Sequence, residues 1–289
     1  MGKKTLILLS LFFVFTSLPH RCNGSEDSLL DGIPPSELTA LNSLFQEWIC
    51  FDPLAHTLHS DKPMTWLILR PGQKALWDKY SRLFQGPDFI FHSFEHPSNF
   101  YSNLLIVNRE AFLGVVSQDL LFFQEKLGKD ITPEELLGKL QYIKRSSLDV
   151  LNGSQELLGI LFGFGKANAV AFGRKTSIIS TTMFRNETVI TDPPKALPPP
   201  SAGFTTLEEE ISSLRENLTF FSLNNPAEEH APYIVGRPYF AALKDHPETK
   251  QLREKYFSQR KRISSLYSRG NFLEVAMKTF IGDENDGQV

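Results

Sequence analysis

The sequence has little cysteine. Two of its 289 residues are Cys, at positions 22 and 50, and the first lies in a segment that we expect to be removed. A chain that keeps Cys50 alone cannot form an internal disulfide, so packing has to stabilise it. The 24 phenylalanines supply apolar surface for a core. In a chain with a short export signal, this lack of disulfides favours a bacterial origin.

The sequence also lacks a hydrophobic run long enough to span a bilayer. The run Thr5–Leu18 follows the basic start MGKK and is shorter than the roughly 20 residues that a transmembrane helix needs. This pattern is typical of a secretory signal peptide, and the small residues Cys22 and Gly24 predict cleavage after Gly24. Lipidation of Cys22 is the disfavoured alternative because Pro-His-Arg precedes it. We therefore expect a secreted or periplasmic protein.

No strong excess of charge is present. The chain has 30 basic and 33 acidic residues, and loss of residues 1–24 removes three basic residues and leaves a net charge near −6. A mildly acidic chain is not typical of a nucleic-acid-binding protein, so no nucleic-acid partner is expected. About 265 residues remain, enough for one large domain or two small ones with a substantial core.

No phosphate-binding motif is complete. The stretch 157–174 reads LLGILFGFGKANAVAFGR, but Gly159 and Gly165 enclose five residues rather than four, and Ala follows the lysine where a phosphate loop needs Ser or Thr. We expect no cofactor. Apolar residues at helical spacing instead predict a helix in which Gly159 and Gly163 form a small-residue strip for close packing.

No metal or catalytic motif is complete either. Cys50, His56 and His59 could supply metal ligands or a thiol with its base, and His92 and His96 form a second pair. The second pair lacks the His-Glu-x-x-His spacing of a zinc helix, and the chain has no Gly-x-Ser-x-Gly segment. We expect core or surface histidines and no metal, and the catalytic residues stay unassigned.

Hydrophobic periodicity predicts an α+β protein that is rich in helix and has a small mixed sheet. Helices are predicted over 37–50, 73–84, 110–128, 133–151, 154–174 and 247–269, with short helices starting after Thr206 and Asn271; strands are predicted over 65–70, 89–94, 104–107 and 218–223. The predicted segments are a signal peptide (1–24), a main helix-rich domain with short strands (25–191), a proline-rich connector (192–204), a C-terminal helical region packed on the main body (205–281) and a disordered acidic tail (282–289). The acidic run 208–210 is interpreted as helix-start charge.

The predicted helix 250–269 carries most of the concentrated positive charge. Such a stripe could contact acidic lipid, nucleic acid or a partner protein. The favoured interpretation is a solvated helix face that the acidic remainder balances, so membrane contact by 250–269 is the weaker hypothesis.

Two stretches resemble a known group of proteins: SQELLGILFGFGKANAVAFGRK (154–175) and DHPETKQLREKYFSQRKRISSLYSRGNFLEVAMKTF (245–280). Both are similar to segments of exported proteins of unassigned role of the chlamydial type, in which a Leu-Gly-rich helix precedes an aromatic Ala-Phe segment and a Tyr-rich basic helix ends the chain. The resemblance covers less than a quarter of the chain. It implies a bacterial envelope or secreted protein and assigns no functional residue.

The function that these observations favour is non-catalytic binding, of a protein or a small molecule, by an exported bacterial protein. The alternative is a hydrolase whose active-site residues are too dispersed to form a recognisable motif.

Overall fold

The computed structural model describes residues 30–95, 100–143, 147–186, 198–221 and 235–282. The chain divides into two units between Ile33 and Pro34. Of the first unit, only residues 30–33 are described, where the Ile33 N–H donates to the Leu30 carbonyl. The predicted signal peptide and most of the acidic tail lie outside the described residues. All that follows concerns the second unit.

This unit is helix-rich α+β, as predicted. Its helices are α1 (Pro35–Cys50), α2 (Leu54–His59), α3 (Pro71–Tyr80), α4 (Arg109–Gln118), α5 (Leu120–Leu127), α6 (Pro133–Leu140), α7 (Ser147–Val150), α8 (Gln155–Leu161), α9 (Lys166–Asn186), α10 (Leu207–Asn217), α11 (Pro247–Leu266) and α12 (Phe272–Ile281), with a 3-10 turn at Ser81–Phe84. Its strands are β1 (Met64–Leu69), β2 (Phe89–Glu95), β3 (Ser102–Asn108), β4 (Leu218–Phe220) and β5 (Ala241–Leu243). No described helix is long and apolar enough to cross a membrane.

The larger sheet is antiparallel throughout, in the order β1-β3-β2, whereas a mixed sheet was predicted. The strand-helix-strand succession that suggested parallel neighbours is present, since α3 connects β1 to β2. However, β3 lies between these two strands and pairs antiparallel with both, so the parallel pair is split. The smaller sheet pairs β4 with β5, also antiparallel.

Both faces of the larger sheet are covered. Because side chains alternate along a strand, Met64 and Leu105 point to one face and Leu67 and Ile106 to the other. The first face packs in a cluster with Phe112 and other residues of α4, α6 and α8. The second face meets an aromatic cluster from α1, α3, the 3-10 turn, β2 and α12, formed by Phe45, Trp48, Trp77, Phe84, Phe91 and Phe280.

Three predicted helices differ from the observed ones. The helix predicted over 110–128 breaks at Asp119, where φ is −107° and ψ is 22°. The helix predicted over 133–151 begins at Pro133 with the expected Thr132 capping box but ends at Leu140, so that Ile143 and Leu151 can both be buried. The third, predicted over 154–174, is two helices separated by a glycine turn.

Candidate functional site

The glycine turn, residues 162–165, joins α8 to α9. The N-terminus of α9, directly after the turn, binds a carboxylate from elsewhere in the same chain. The Glu248 carboxylate accepts hydrogen bonds from the backbone N–H groups of Lys166, at 2.9 Å, and Ala167, at 2.8 Å. These N–H groups open α9 and have no partner within the helix, so a carboxylate stabilises them as a phosphate would. Glu248 comes from the first turn of α11, so this contact also joins α11 to α9.

Gly159 and Gly163 do not form the helical strip that was predicted, because Gly163 lies outside the helices, but both approach other elements closely. Gly159 does pack closely, since an added Cβ there would lie 2.8 Å from the Ala169 Cβ. Gly163 instead lies in the turn with φ at +76°, a conformation that L side chains rarely adopt. Its carbonyl accepts a hydrogen bond from the Tyr256 hydroxyl at 2.7 Å.

Replacement of Gly163 with valine is expected to lower the free energy of unfolding by about 2–4 kcal/mol, because a branched side chain is strained at positive φ and would displace the Tyr256 hydroxyl. The added Cβ would lie 2.5 Å from that oxygen. Chemical denaturation measures the change. The control is Gly114→Ala in α4, where the space is open and alanine is expected to stabilise by about 0.5–1 kcal/mol. Unchanged stability together with lost nucleotide binding would contradict this packing role.

A second feature is a cluster of polar side chains where α2 meets α11, buried except for His59, which is half-buried. His56 and His59, one turn apart on α2, each contact a tyrosine ring edge-on with centroids 5.4 Å apart, His56 with Tyr256 and His59 with Tyr267. The His59 Nε2 also lies 2.6 Å from the Tyr267 hydroxyl. Lys62 is 1% exposed and donates to the backbone carbonyls of Met64 and Phe162. We call these five side chains, two His, two Tyr and Lys62, the buried polar cluster.

Burial shifts the titration of this cluster. It lowers the pKa of His56 to about 4, against the opposing effect of the Gln259 side chain and the Gly236 backbone. Burial, with the nearby Arg262, lowers the pKa of His59 to about 3. Burial, with Lys255, lowers the pKa of Lys62 to about 7. Perturbed groups of this kind mark active sites when a substrate can reach them.

The buried polar cluster lies apart from the two surface depressions described below. None of its five side chains lines either of them. Neither ring nitrogen of His56 has a hydrogen-bond partner among the described residues, and the Gln259 Oε1 is likewise buried without one. Unpaired polar atoms in a dry interior destabilise the packed state. The cluster is therefore a costly feature of the interior.

One of the depressions lies at the C-terminal end of α1, and we call it the α1-end depression. It encloses about 460 Å³ and is lined by Ser43, Gln46, Glu47, Cys50, Phe51 and Arg70. Glu47 forms an ion pair with Arg70 and accepts a hydrogen bond from the Gln73 side chain at 2.9 Å. Phe51 stands beside this pair with 80% of its surface exposed. Burial, and then Glu47, raise the pKa of Asp52 to about 6.

The predicted ligand and thiol candidates are not brought together. Cys50 is half-buried in the α1-end depression, where burial raises the pKa of its thiol and so disfavours the nucleophilic thiolate. His56 and His59 are in the buried polar cluster, and the His92 Nε2 contacts the Ile143 carbonyl. His96 lies outside the described residues. Within the described ranges, no group of three or more His, Cys, Asp or Glu could hold a metal ion.

The other depression lies between the end of α5 and α6 and encloses about 490 Å³. Tyr142, which is 80% exposed, stands at its margin, and Asp130 and Lys139 give it mixed charge. Glu135, also in its lining, is already used in the capping box of α6. This depression is a weaker candidate for a binding site than the α1-end depression, because the exposed Tyr142 ring has no ion pair beside it in the described structure.

The basic stripe predicted over 250–269 holds α11 against the main body. Lys255 pairs with Asp61 at 2.8 Å, Arg260 donates to the Val235 carbonyl at 2.8 Å, and Arg262 donates to the His59 carbonyl and to the Ser60 hydroxyl. Sequence periodicity alone would place these three cations at the surface, but they form contacts within the chain. Contact of this helix with acidic lipid stays the weaker hypothesis.

Comparison of the chain with protein-family models, with curated proteins and with solved structures finds no match.

Proposed function

We propose that this is an exported bacterial protein that acts by binding another protein, and that the α1-end depression is its contact site. The observation that carries the proposal is Phe51, a large apolar side chain left 80% exposed beside the ion pair of Arg70 and Glu47. An aromatic anchor with a polar rim is the arrangement found at the centre of protein interfaces. The signal-like N-terminus and the chlamydial-type resemblance support export.

A protein partner fits this depression better than a small molecule does. Small-molecule sites are concave and bury most of the ligand, whereas here the anchor projects outward from an open depression. The backbone under it is fixed, because the Gly236 N–H donates to the Ile49 carbonyl at 2.7 Å and an added Cβ on Gly236 would lie 2.5 Å from the Asp52 carbonyl oxygen. A fixed backbone reduces the ordering cost of binding.

The hydrolase alternative gains no support from a specific contact. In the part of the chain that the structure describes, the perturbed base candidates are in the buried polar cluster and the only thiol is in the α1-end depression. A triad requires nucleophile and base within hydrogen-bond reach of each other at an open site. The proposal of a binding protein needs no such arrangement.

The proposal is tested by photo-crosslinking in the producing bacterium. Benzoylphenylalanine at position 51 is expected to give one discrete adduct, and the same group at Leu121, which is 83% exposed on α5, is expected to give none. With the identified partner purified, Phe51→Ser is expected to weaken binding at least 30-fold, about 2 kcal/mol, because it removes the anchor, while Leu121→Ser leaves it unchanged. Intact mass of the exported chain should correspond to a start at Ser25.

Three outcomes would contradict the proposal. Equal adducts from both positions would mean that the contact is not at the α1-end depression. Absence of any adduct would remove the support for a bound protein at Phe51. A mature chain that begins at Cys22 with added acyl mass would contradict soluble export.

A further inference from the structure

The buried polar cluster joins two parts of the chain that are distant in sequence. His56 and His59 belong to α2, whereas Tyr256 lies in α11 and Tyr267 directly follows it. The two contacts repeat one geometry, with ring centroids 5.4 Å apart and planes at 90° and 70°. His59 is also 3.3 Å from the Thr279 hydroxyl, so α12 shares the interface. Both histidines are therefore part of the packing that holds the C-terminal helices.

The charged groups facing these two histidines are mostly cations. From the segment after α2 come Asp61 and Lys62; from α11 come Lys255, Arg260 and Arg262; the segment at 235–236 and α12 contribute the Gly236 backbone and the Thr279 hydroxyl. The one acid among them, Asp61, already pairs with Lys255 and accepts from Gln259. A proton added to either ring would thus place a further positive charge in a buried region that is already cationic.

We infer that this interface is an acid-sensitive latch, which releases α11 and α12 from α2 when His56 and His59 become protonated. The two neutral rings fit edge-on against the tyrosines. The Gln259 side chain and the Gly236 backbone favour a proton on the His56 ring nitrogens, but burial and the cations Lys62 and Arg260 oppose it. A released α11 exposes these nitrogens to water, where the charged form is stable. The latch is independent of whether Phe51 binds a partner.

The direction of the pH dependence follows from linkage. Both histidines have a lower pKa in the packed state than the ordinary 6.5, so the opened state binds more protons as the pH falls below about 6.5. As the pH falls below 6.5, each histidine increases the ratio of opened to packed protein by about tenfold per pH unit. This increase stops when the pH reaches the packed-state pKa of that histidine. The contribution of each histidine to packing is full above pH 6.5. It is lost between about 6.5 and 4 for His56 and between about 6.5 and 3 for His59.

Two nearby acids do not cause opening between pH 6.5 and 4.5, because one acts below this pH range and the other favours the packed state. The pKa of Asp61 is lowered by Lys255 and Gln259 despite burial, so its pairing is lost only below its ordinary range. The pKa of Asp52 is raised to about 6 by burial and Glu47, so its protonation at lower pH relieves repulsion and favours the packed state. Asp52 lies just after the end of α1, and its protonation opposes the opening that protonation of the histidines favours. Opening between pH 6.5 and 4.5 therefore reports on the histidines.

Hydrogen exchange of the full exported chain at pH 7 and pH 4.5, corrected for the intrinsic rate, tests the latch. Protection of α11 and α12 is expected to fall at least 100-fold, reversibly, while α4 and α6 keep theirs. His56→Phe, which keeps an edge-on ring but cannot be protonated, is expected to reduce that response at least tenfold. The matched control is His92→Phe, at a histidine that stacks on Phe94 outside the interface, and it should leave the response unchanged.

The wild-type measurement alone can overturn the inference. Equal loss of protection in α4, α6, α11 and α12 would mean global acid unfolding, and full retention in α11 at pH 4.5 would mean that no latch exists. If His56→Phe does not fold, His56→Gln removes the same titration with a smaller side chain. An undiminished acid response in a folded variant at position 56 would likewise contradict the inference.

Discussion

Replacement of Phe280 with alanine is expected to lower the free energy of unfolding by about 4 kcal/mol. Phe280 is fully buried near the end of α12, and its ring contacts Phe84, Phe89 and Phe91 with centroids 5.8, 5.4 and 5.0 Å apart. The cavity would open between α12, the 3-10 turn and β2. This region collapses poorly, because the Gly86 backbone lies against the Phe280 backbone so closely that an added Cβ would be 1.7 Å from its carbonyl oxygen.

Urea denaturation of the two proteins measures this difference, and the slope of the transition should stay the same because the fold is kept. The control is Phe51→Ala, which removes the same side chain at an 80% exposed position and is expected to change stability by less than about 0.5 kcal/mol. A loss from Phe280→Ala no larger than the control would mean that α12 does not complete the aromatic cluster.

Local signals in the sequence predicted much of this fold. Thr132 and Thr206 cap helices as expected, because a hydroxyl that accepts from the N–H three residues later is a local interaction. The short apolar run 104–107 predicted a strand now seen at the centre of the larger sheet. Gly270 was predicted to end the helix 247–269, but α11 ends at Leu266 and Gly270, with φ at +76°, lies in the turn that follows.

Pairing between distant residues could not be predicted in the same way. The strand order β1-β3-β2 depends on which strand β3 joins, and local periodicity carries no information on that choice. The anion at the start of α9 is Glu248, 82 residues from Lys166, and nothing near either residue marks the pair. His56 and His59 were predicted only as core or surface histidines, because their contacts depend on α11 and Tyr267, which follow almost 200 residues later in the chain.

Within a single helix turn, the acidic run 208–210 likewise contains one residue whose contacts the local sequence could not predict. The interpretation as helix-start charge is appropriate for Glu208 and Glu209, which are exposed, and wrong for Glu210, which is 2% exposed. Glu210 accepts two hydrogen bonds from Arg174 of α9 and two from Ser201. It thus joins α9, α10 and the described end of the predicted proline-rich connector, residues 198–204.

Replacement of Glu210 with alanine is therefore expected to lower the free energy of unfolding by about 3 kcal/mol. The substitution leaves Arg174 without its carboxylate partner, with 22% of its side chain exposed. Because of this partial exposure, we expect a loss at the lower end of the range for breaking a buried ion pair. Glu208→Ala on the same helix turn is the control and should change stability by less than about 0.5 kcal/mol. Thermal or urea denaturation at pH 7 measures both.

A double-mutant cycle separates the pair from its surroundings. Arg174→Met combined with Glu210→Met is expected to destabilise less than Glu210→Met alone, because no unpaired charge then remains. Hydrogen bonds from Arg174 and Ser201 lower the pKa of Glu210 to about 2, below the ordinary 4.5. The stabilisation by this carboxylate is therefore full above 4.5 and lost as the pH falls toward 2. Strict additivity of the two single changes, or a stability difference between wild type and Glu210→Met that stays constant from pH 6 to pH 2.5, would show that Arg174 and Glu210 are not coupled.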